Sequence, residues 1–200
     1  MRVKHLILPS LAVIVLSGAP SVLARGGGSR AVVKTMATGG VGLGAPATPI
    51  STPAHPIVVG TVAKIINGIA YAPAYAPIQV QRAIWAGNAI RHKPYIYGGG
   101  HGSFTDSGYD CSGSVSYVLH GAGLLSTPFD SSGFMSWGQR GLGRWMTVYT
   151  NPSHAFVQIA GIRFDTSAMD DPNPAPGSGP RWRPAVSHAP GFTARHPAGF

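Results

Sequence analysis

Apolar and polar residues alternate differently in three successive parts of the chain. Leu6 to Leu16 form a nearly uninterrupted apolar run. Residues 25–56 show little periodicity and consist mostly of Gly, Ala, Pro, Ser, Thr and Val. Regular periods of about 3.6 and then 2 residues begin only after Pro77. The pattern therefore predicts a leader, a low-complexity segment and one folded domain.

The leader has the features of a secretory signal. Arg2 and Lys4 precede the apolar run, and Val22-Leu23-Ala24 supplies the small residues that a signal peptidase reads. The run is shorter than the roughly 20 residues that span a bilayer. We predict a signal peptide over 1–24, cleavage after Ala24, and a protein secreted to the cell wall or periplasmic space without stable membrane insertion.

The segment from 25 to 77 is predicted to be a flexible tether. Its Gly, Pro and Ala content cannot bury enough apolar surface to offset the entropy of ordering the chain. The stretch from Ala70 to Pro77 is a short repeat whose prolines block a helix. The peptide from Ile57 to Ala70 is more apolar, and either a docked element or a loose extension fits it.

The folded domain is predicted to span 78–200, with a loop-rich C-terminal tail. Apolar spacing predicts two helices, and Asp110 stands where the second would have its N-cap. A strand and then a hairpin turning at Ala160-Gly161 follow. The remaining stretches, around 127–143 and after Ala168, are expected to be loops. The predicted elements are helices Ile78–Arg91 and Ser112–Ala122 and strands Trp145–Tyr149, His154–Ala160 and Ile162–Thr166.

The charge and composition of the chain exclude some classes of function. The chain carries 15 basic and 6 acidic residues, a formal charge of +9, and every acidic residue is Asp. Without Glu, a zinc peptidase of the His-Glu-x-x-His type is excluded. The positive charge suits an anionic partner such as a bacterial wall polymer. Nucleic-acid binding is not expected because the basic residues are scattered and no binding motif is present. No metal or other cofactor is predicted.

Cys111 is the one cysteine of the chain, so it cannot form an intramolecular disulfide. It follows Asp110 at the predicted N-terminus of a helix, where the free backbone amides and the helix dipole favour a thiolate. A buried structural cysteine is the alternative. Such a residue is more typical of mid-helix positions among apolar neighbours, whereas Ser112 and Gly113 follow Cys111. The setting favours a nucleophile.

His154 is the candidate base because it begins a predicted strand, which is a rigid position for an imidazole. A third polar group should hold the ring in the correct tautomer. In a two-residue hairpin, Phe156 would oppose Asp165, so His154 and Asp165 would be diagonal neighbours on one face. A three-residue loop would place them on opposite faces. Ser167 is the competing candidate for this role.

These residues resemble the nucleophile region of NlpC-type cell-wall peptidases. The resemblance rests on three blocks, from Ile78 to Ser167: Pro94-Tyr95-Ile96-Tyr97-Gly98-Gly99, Gly108-Tyr109-Asp110-Cys111-Ser112-Gly113 and Ser153-His154-Ala155-Phe156-Val157. It implies an α+β, papain-like domain in which the nucleophile helix packs on a small antiparallel sheet. Asp165 stands near the position where the family commonly has His, Asn or Gln.

The resemblance also implies an activity. Cys111 would attack a carbonyl of a peptidoglycan stem peptide, His154 would act as base and acid, and Tyr95 would help hold the oxyanion. The favoured bond in the family joins the γ-carboxyl of D-glutamate to a diamino acid. Substrate contacts are predicted for Ser112, Trp137, Ser153 and Arg181.

Two other functions remain open on the sequence. A non-catalytic module could bind wall peptides without cutting them, and the basic charge would suit that role equally. Another acyl-transfer enzyme, such as an amidase or transpeptidase, could use the same scaffold. The presence of Cys111, His154 and Tyr95 together favours an enzyme. A monomer is expected.

Overall fold

The computed structural model describes residues 51–168 and 179–200. The predicted signal peptide and residues 25–50 of the predicted tether lie outside these ranges. Among the residues described, no helix is both long enough and apolar enough to cross a membrane.

The described chain forms three helices and nine strands. Three strands precede the first helix: β1 (Ile57–Val58), β2 (Lys64–Ile66) and β3 (Ile69–Pro73). The helices are α1 (Ile78–Ile90), α2 (Cys111–Gly121) and the short α3 (Ser131–Phe134). The other strands are β4 (Gln139–Arg140), β5 (Met146–Asn151), β6 (His154–Ile159), β7 (Ile162–Asp165), β8 (Arg181–Pro184) and β9 (Thr193–His196).

The larger sheet is antiparallel and contains six strands in the order β4-β9-β5-β6-β7-β8. Helix α2 packs on its central strand β6, and α1 packs on α2. Alternate strand residues such as Val148, Val157 and Phe164 are fully buried in the shared core. The predicted α+β fold, with the nucleophile helix on an antiparallel sheet, is confirmed.

Strands β1 to β3 form a second sheet, in which β1 is parallel and β2 antiparallel to β3. Asn88 of α1 fixes this sheet to the domain: its amide accepts from the Ala70 N–H at 2.9 Å and donates to the Ala70 carbonyl at 2.8 Å. The Gln81 amide donates to carbonyls of the segment that joins β3 to α1. From residue 57 onward the chain thus differs from the predicted tether, because buried amides hold it against α1.

The other predicted elements compare closely with the structure, apart from the C-terminal region and the predicted loop around 127–143, where α3 and β4 form. Both long helices and the hairpin are confirmed to within about a residue at each end. The predicted loop-rich tail is wrong where β8 and β9 form. Each is only four residues long, and β8 is ordered by pairing along β7 from Ile162 to Asp165.

Candidate active site

Cys111 is the first residue of α2, and Asp110 is its N-cap. The Asp110 Oδ1 accepts a hydrogen bond from the Gly113 N–H at 2.7 Å, which satisfies one of the free amides of the first turn. Cys111 is 7 % exposed and lies at the floor of an open cleft. A thiolate at this position is stabilised by the remaining amides and by the helix dipole.

The loop before Cys111 packs directly against the first turn of α2. Gly98 donates its N–H to Asp110 Oδ2 at 3.1 Å, and the Asp110 N–H donates to the Gly99 carbonyl at 3.2 Å. A Cβ on Gly113 would collide with the Gly99 carbonyl oxygen. Glycine at 113 therefore allows the loop to approach the nucleophile helix so closely.

The hairpin of β6 and β7 brings His154 to Asp165. Its pairs are Val157 with Phe164 and Ile159 with Ile162, which is the register of a two-residue turn, as predicted. The His154 Nε2 lies 2.8 Å from Asp165 Oδ1. The same oxygen accepts the Ser167 N–H at 2.8 Å. Asp165 is thus the side chain in contact with the imidazole, and Ser167 supports the carboxylate through its backbone.

Asp165 is completely buried, and its Oδ2 lies 3.6 Å from Nη1 of the equally buried Arg163. The positive charge of Arg163 partly offsets the cost of burying the carboxylate. With Nε2 bound to Asp165, Nδ1 of His154 is the nitrogen left to face Cys111. The tautomer that a thiol–imidazole pair needs is therefore set by the hairpin.

The protonation of His154 depends on both partners. Burial disfavours the imidazolium, but hydrogen bonds to Asp165 and Cys111, together with the negative charges of these groups, outweigh it. They raise the pKa of His154 from 6.5 to about 9. A protonated imidazole that lies beside a cysteine and is held by a buried carboxylate is the arrangement that a cysteine nucleophile requires.

Tyr95 lies in the cleft with Cys111 and is 40 % exposed. Partial burial raises the pKa of its phenol, and the neighbouring charges of Cys111 and Asp110 raise it further. The hydroxyl therefore stays protonated at neutral pH and is available to donate a hydrogen bond.

The cleft has a volume of about 420 Å³, and apart from Asp110 to Ser112 its lining residues come from two groups, here called its two walls. The loop before α2 supplies Tyr95, Tyr97, Gly98 and His101. The region of α3 and the β5–β6 turn, which the Ser131 hydroxyl joins by donating to the Pro152 carbonyl at 3.1 Å, supplies Asp130, Ser131, Ser132, Pro152 and Ser153. Ser153 is exposed and lies in the wall next to His154, where its Oγ donates to Asn151 Oδ1 at 3.0 Å. Ser112 reaches the floor but is 2 % exposed, and its hydroxyl donates to Asp110.

Two predicted substrate contacts are outside this cleft. Trp137 packs edge-on against Phe134, with ring centroids 5.7 Å apart, and is partly buried against the core. The Arg181 guanidinium donates to the carbonyls of Arg91 and Lys93 after α1, at 2.8 and 3.3 Å. Both side chains thus contact other residues of the protein and not the cleft, which corrects the prediction that they line the substrate site.

The cleft contains a second histidine. The Nε2 of His101 lies 3.0 Å from Asp110 Oδ1 and 3.0 Å from Ser112 Oγ. Its position depends on a loop in which Gly98 and Gly100 both have positive φ. The run of glycines before His101 was the available signal for such a turn.

A second groove, of about 460 Å³, lies at the other end of β6. Trp145, Arg144, Tyr149 and Gln158 line it, and it contains neither Cys111 nor His154. Within the described ranges, no cluster of three or more His, Cys, Asp or Glu side chains could hold a metal ion.

No family model matches the sequence, and no curated protein matches it. Several solved structures match it. The peptidoglycan hydrolase RipB of Mycobacterium tuberculosis is 21 % identical with a TM-score of 0.44, over 60 % of this chain and 64 % of RipB. RipD of the same organism, a non-catalytic NlpC/p60 domain protein adapted to peptidoglycan binding, is 19 % identical with a TM-score of 0.44, over 61 % of this chain and 98 % of RipD.

An NlpC/p60 family protein of Bacillus cereus is 18 % identical with a TM-score of 0.43, over 58 % of this chain and 39 % of its own. The chain thus spans less than two thirds of the length of both RipB and the Bacillus protein. RipD and the Bacillus protein are NlpC/p60 proteins, and the motif around Cys111 resembles the same family.

Proposed function

We propose that this protein is an exported cysteine peptidase that hydrolyses peptidoglycan stem peptides through a thioester. The observation that carries the proposal is the relay of a buried carboxylate, an imidazole and a helix-terminal cysteine. His154 Nε2 is 2.8 Å from Asp165, and its hydrogen bond and charge interaction with Cys111 help to raise its pKa to about 9. An open cleft gives a peptide access to this relay.

The proposed reaction begins with attack of the Cys111 thiolate on a substrate carbonyl, which forms a tetrahedral oxyanion. The Cys111 N–H and the Tyr95 hydroxyl donate to that oxygen, and each such donor contributes about 3–4 kcal/mol in comparable sites. The His154 imidazolium protonates the leaving amine as the C–N bond breaks. Neutral His154 then takes a proton from water, whose oxygen attacks the thioester and releases the acid and Cys111.

The charge of the cleft supports a substrate with a cationic group. Among the described residues that line it, the formal charges are the carboxylates of Asp110 and Asp130, and neither Lys nor Arg is present. This contrasts with the net charge of +9 for the whole chain. A diamino acid on the leaving-group side would place its ammonium near Asp130. The resemblance to NlpC-type peptidases suggests the bond between the γ-carboxyl of D-glutamate and that residue.

The test is mass spectrometry of purified stem peptides incubated with the reduced protein. Cleavage is expected with the unaltered protein and with His188→Ala, an exposed histidine away from the cleft. It should be lost with Cys111→Ala and with His154→Gln, and the fragment masses identify the bond. A folded, reduced protein that binds these peptides but leaves them intact would replace the peptidase with a peptide-binding module. Products joined to an added amine would indicate a transpeptidase instead.

A further inference from the structure

A second histidine–carboxylate pair lies beside the nucleophile. The Nε2 of His101 is 3.0 Å from Asp110 Oδ1, and the histidine side chain is 33 % exposed in the cleft. Asp110 is almost fully buried, and its oxygens also accept the N–H groups of Gly113 and Gly98. Asp110 is therefore held in place by the backbone, and it holds His101 in turn.

These contacts determine which nitrogen of His101 faces the substrate. An ionised carboxylate only accepts hydrogen bonds, so Nε2 carries the hydrogen that it donates to Asp110. In the neutral ring Nδ1 then has a free lone pair. Within the described part of the chain, no hydrogen bond occupies Nδ1. Ser112 and Asp110 have their own polar groups engaged, so of these three side chains His101 is the one with an accessible acceptor.

The two walls of the cleft indicate which part of a peptide meets His101. His154 must reach the leaving amine, so the leaving group lies on the wall of Pro152 and Ser153, the residues next to it. His101 and Tyr97 belong to the other wall, the one supplied by the loop before α2. The acyl part of the substrate therefore extends along His101.

We propose that His101 is a specificity-determining residue whose Nδ1 accepts a hydrogen bond from an N–H group on the acyl side of the scissile bond. This inference rests on the proposed function, because it requires a peptide in the cleft. It assigns Asp110 and Ser112 a positioning role beneath His101 in place of the direct substrate contact predicted for Ser112.

Peptide binding by the full chain tests the inference without requiring cleavage. Isothermal titration calorimetry would compare Cys111→Ala with Cys111→Ala/His101→Ala, using a synthetic stem tetrapeptide. Two analogues remove acyl-side N–H groups one at a time: an ester in place of the first amide, and a desamino N-terminus. Loss of one hydrogen bond should weaken binding of the parent peptide about five- to tenfold.

The analogue that lacks the recognised N–H should bind the Cys111→Ala protein equally weakly, and removing His101 should then have no further effect. His101→Gln, whose amide can donate to Asp110 and accept from the ligand, should recover part of the affinity. His188→Ala serves as the matched control. Thermal melting of each variant confirms that it is folded.

The inference is overturned if His101→Ala changes affinity less than twofold, or if the change is the same for the parent and both analogues. Failure of Cys111→Ala to bind the tetrapeptide also overturns it. Cleavage by the unaltered protein would in that case leave the proposed function standing. His101-dependent binding without cleavage would leave the inference standing and refute the peptidase.

Discussion

Replacing Asp165 by Asn is the sharpest test of the relay. Asn keeps the size of the side chain and an oxygen that can accept from His154 Nε2 and the Ser167 N–H. It removes the negative charge, which together with the hydrogen bond offsets the burial of His154. The substitution also removes the anion that lies 3.6 Å from the buried Arg163, so some loss of stability is expected.

The size of the effect follows from the pKa of His154. A rise from 6.5 to about 9 corresponds to about 3 kcal/mol in favour of the imidazolium, shared between Asp165 and Cys111. At pH 8 a histidine of pKa about 9 is about 90 % protonated, whereas one that has returned to 6.5 is about 3 % protonated. The imidazolium available to protonate the leaving amine would thus fall by at most about thirtyfold, because Cys111 keeps its share of the rise in pKa.

Two measurements check this result. NMR titration of the histidine Cε1–H resonances should place His154 near 9 in the unaltered protein and clearly lower in Asp165→Asn, where the Cys111 contribution remains. The alkaline limb of kcat/KM should move by the same amount. Ser167→Ala, which keeps the backbone donor, should change neither. If the pKa of His154 stays near 9 in Asp165→Asn, Asp165 is not the group that orients His154 and raises its pKa.

Other predictions concern stability. Because the pKa of His154 is raised on folding, its contribution is complete below pH 6.5 and is lost as the pH rises through about 9. The free energy of unfolding in urea should fall across that window, and the fall should be smaller in His154→Gln. Gly113→Ala would force the Gly99 carbonyl away and should cost about 1–3 kcal/mol in urea unfolding, whereas Gly102→Ala, which meets no atom within 4 Å, should be nearly neutral. Ala160 has φ of 48° in the β6–β7 turn, so Ala160→Asn should raise the unfolding free energy by up to about 1 kcal/mol; a lower value would contradict the strain.

Elements governed by local sequence were predictable. The apolar period of α1, the cap of Asp110 before α2, and the turn at Ala160-Gly161 all depend on neighbours a few residues apart. The turn left the register open between a two-residue and a three-residue loop, and the two-residue pairing is the one that brings His154 to Asp165. These local signals predicted His154 and Asp165 as candidates, with Ser167 as the competing residue.

Elements that depend on distant partners were missed. The strands β1 to β3 are short and flanked by Gly and Pro, and Asn88 of α1 orders them by bonding Ala70. Strands β8 and β9 form because β7 and β5 offer free edges. His101 reaches Asp110 only because Gly98 and Gly100 in the preceding loop adopt positive φ. Trp137 and Arg181 contact other residues of the protein. No periodicity in the sequence encodes such contacts.

The position of β9 in the sheet has a consequence for the timing of activity. This strand comes after all the others along the described chain, yet it pairs between β4 and β5 and so lies next to the strand that supports β6. A nascent chain that has emerged as far as β8 already contains Tyr95, Cys111, His154 and Asp165. Its β5 would still have an unpaired edge, and pairing so distant in sequence is slow to form. The candidate site would therefore reach its final geometry only after β9 has emerged, and the proposed hydrolysis would have to wait until synthesis or export has passed that point.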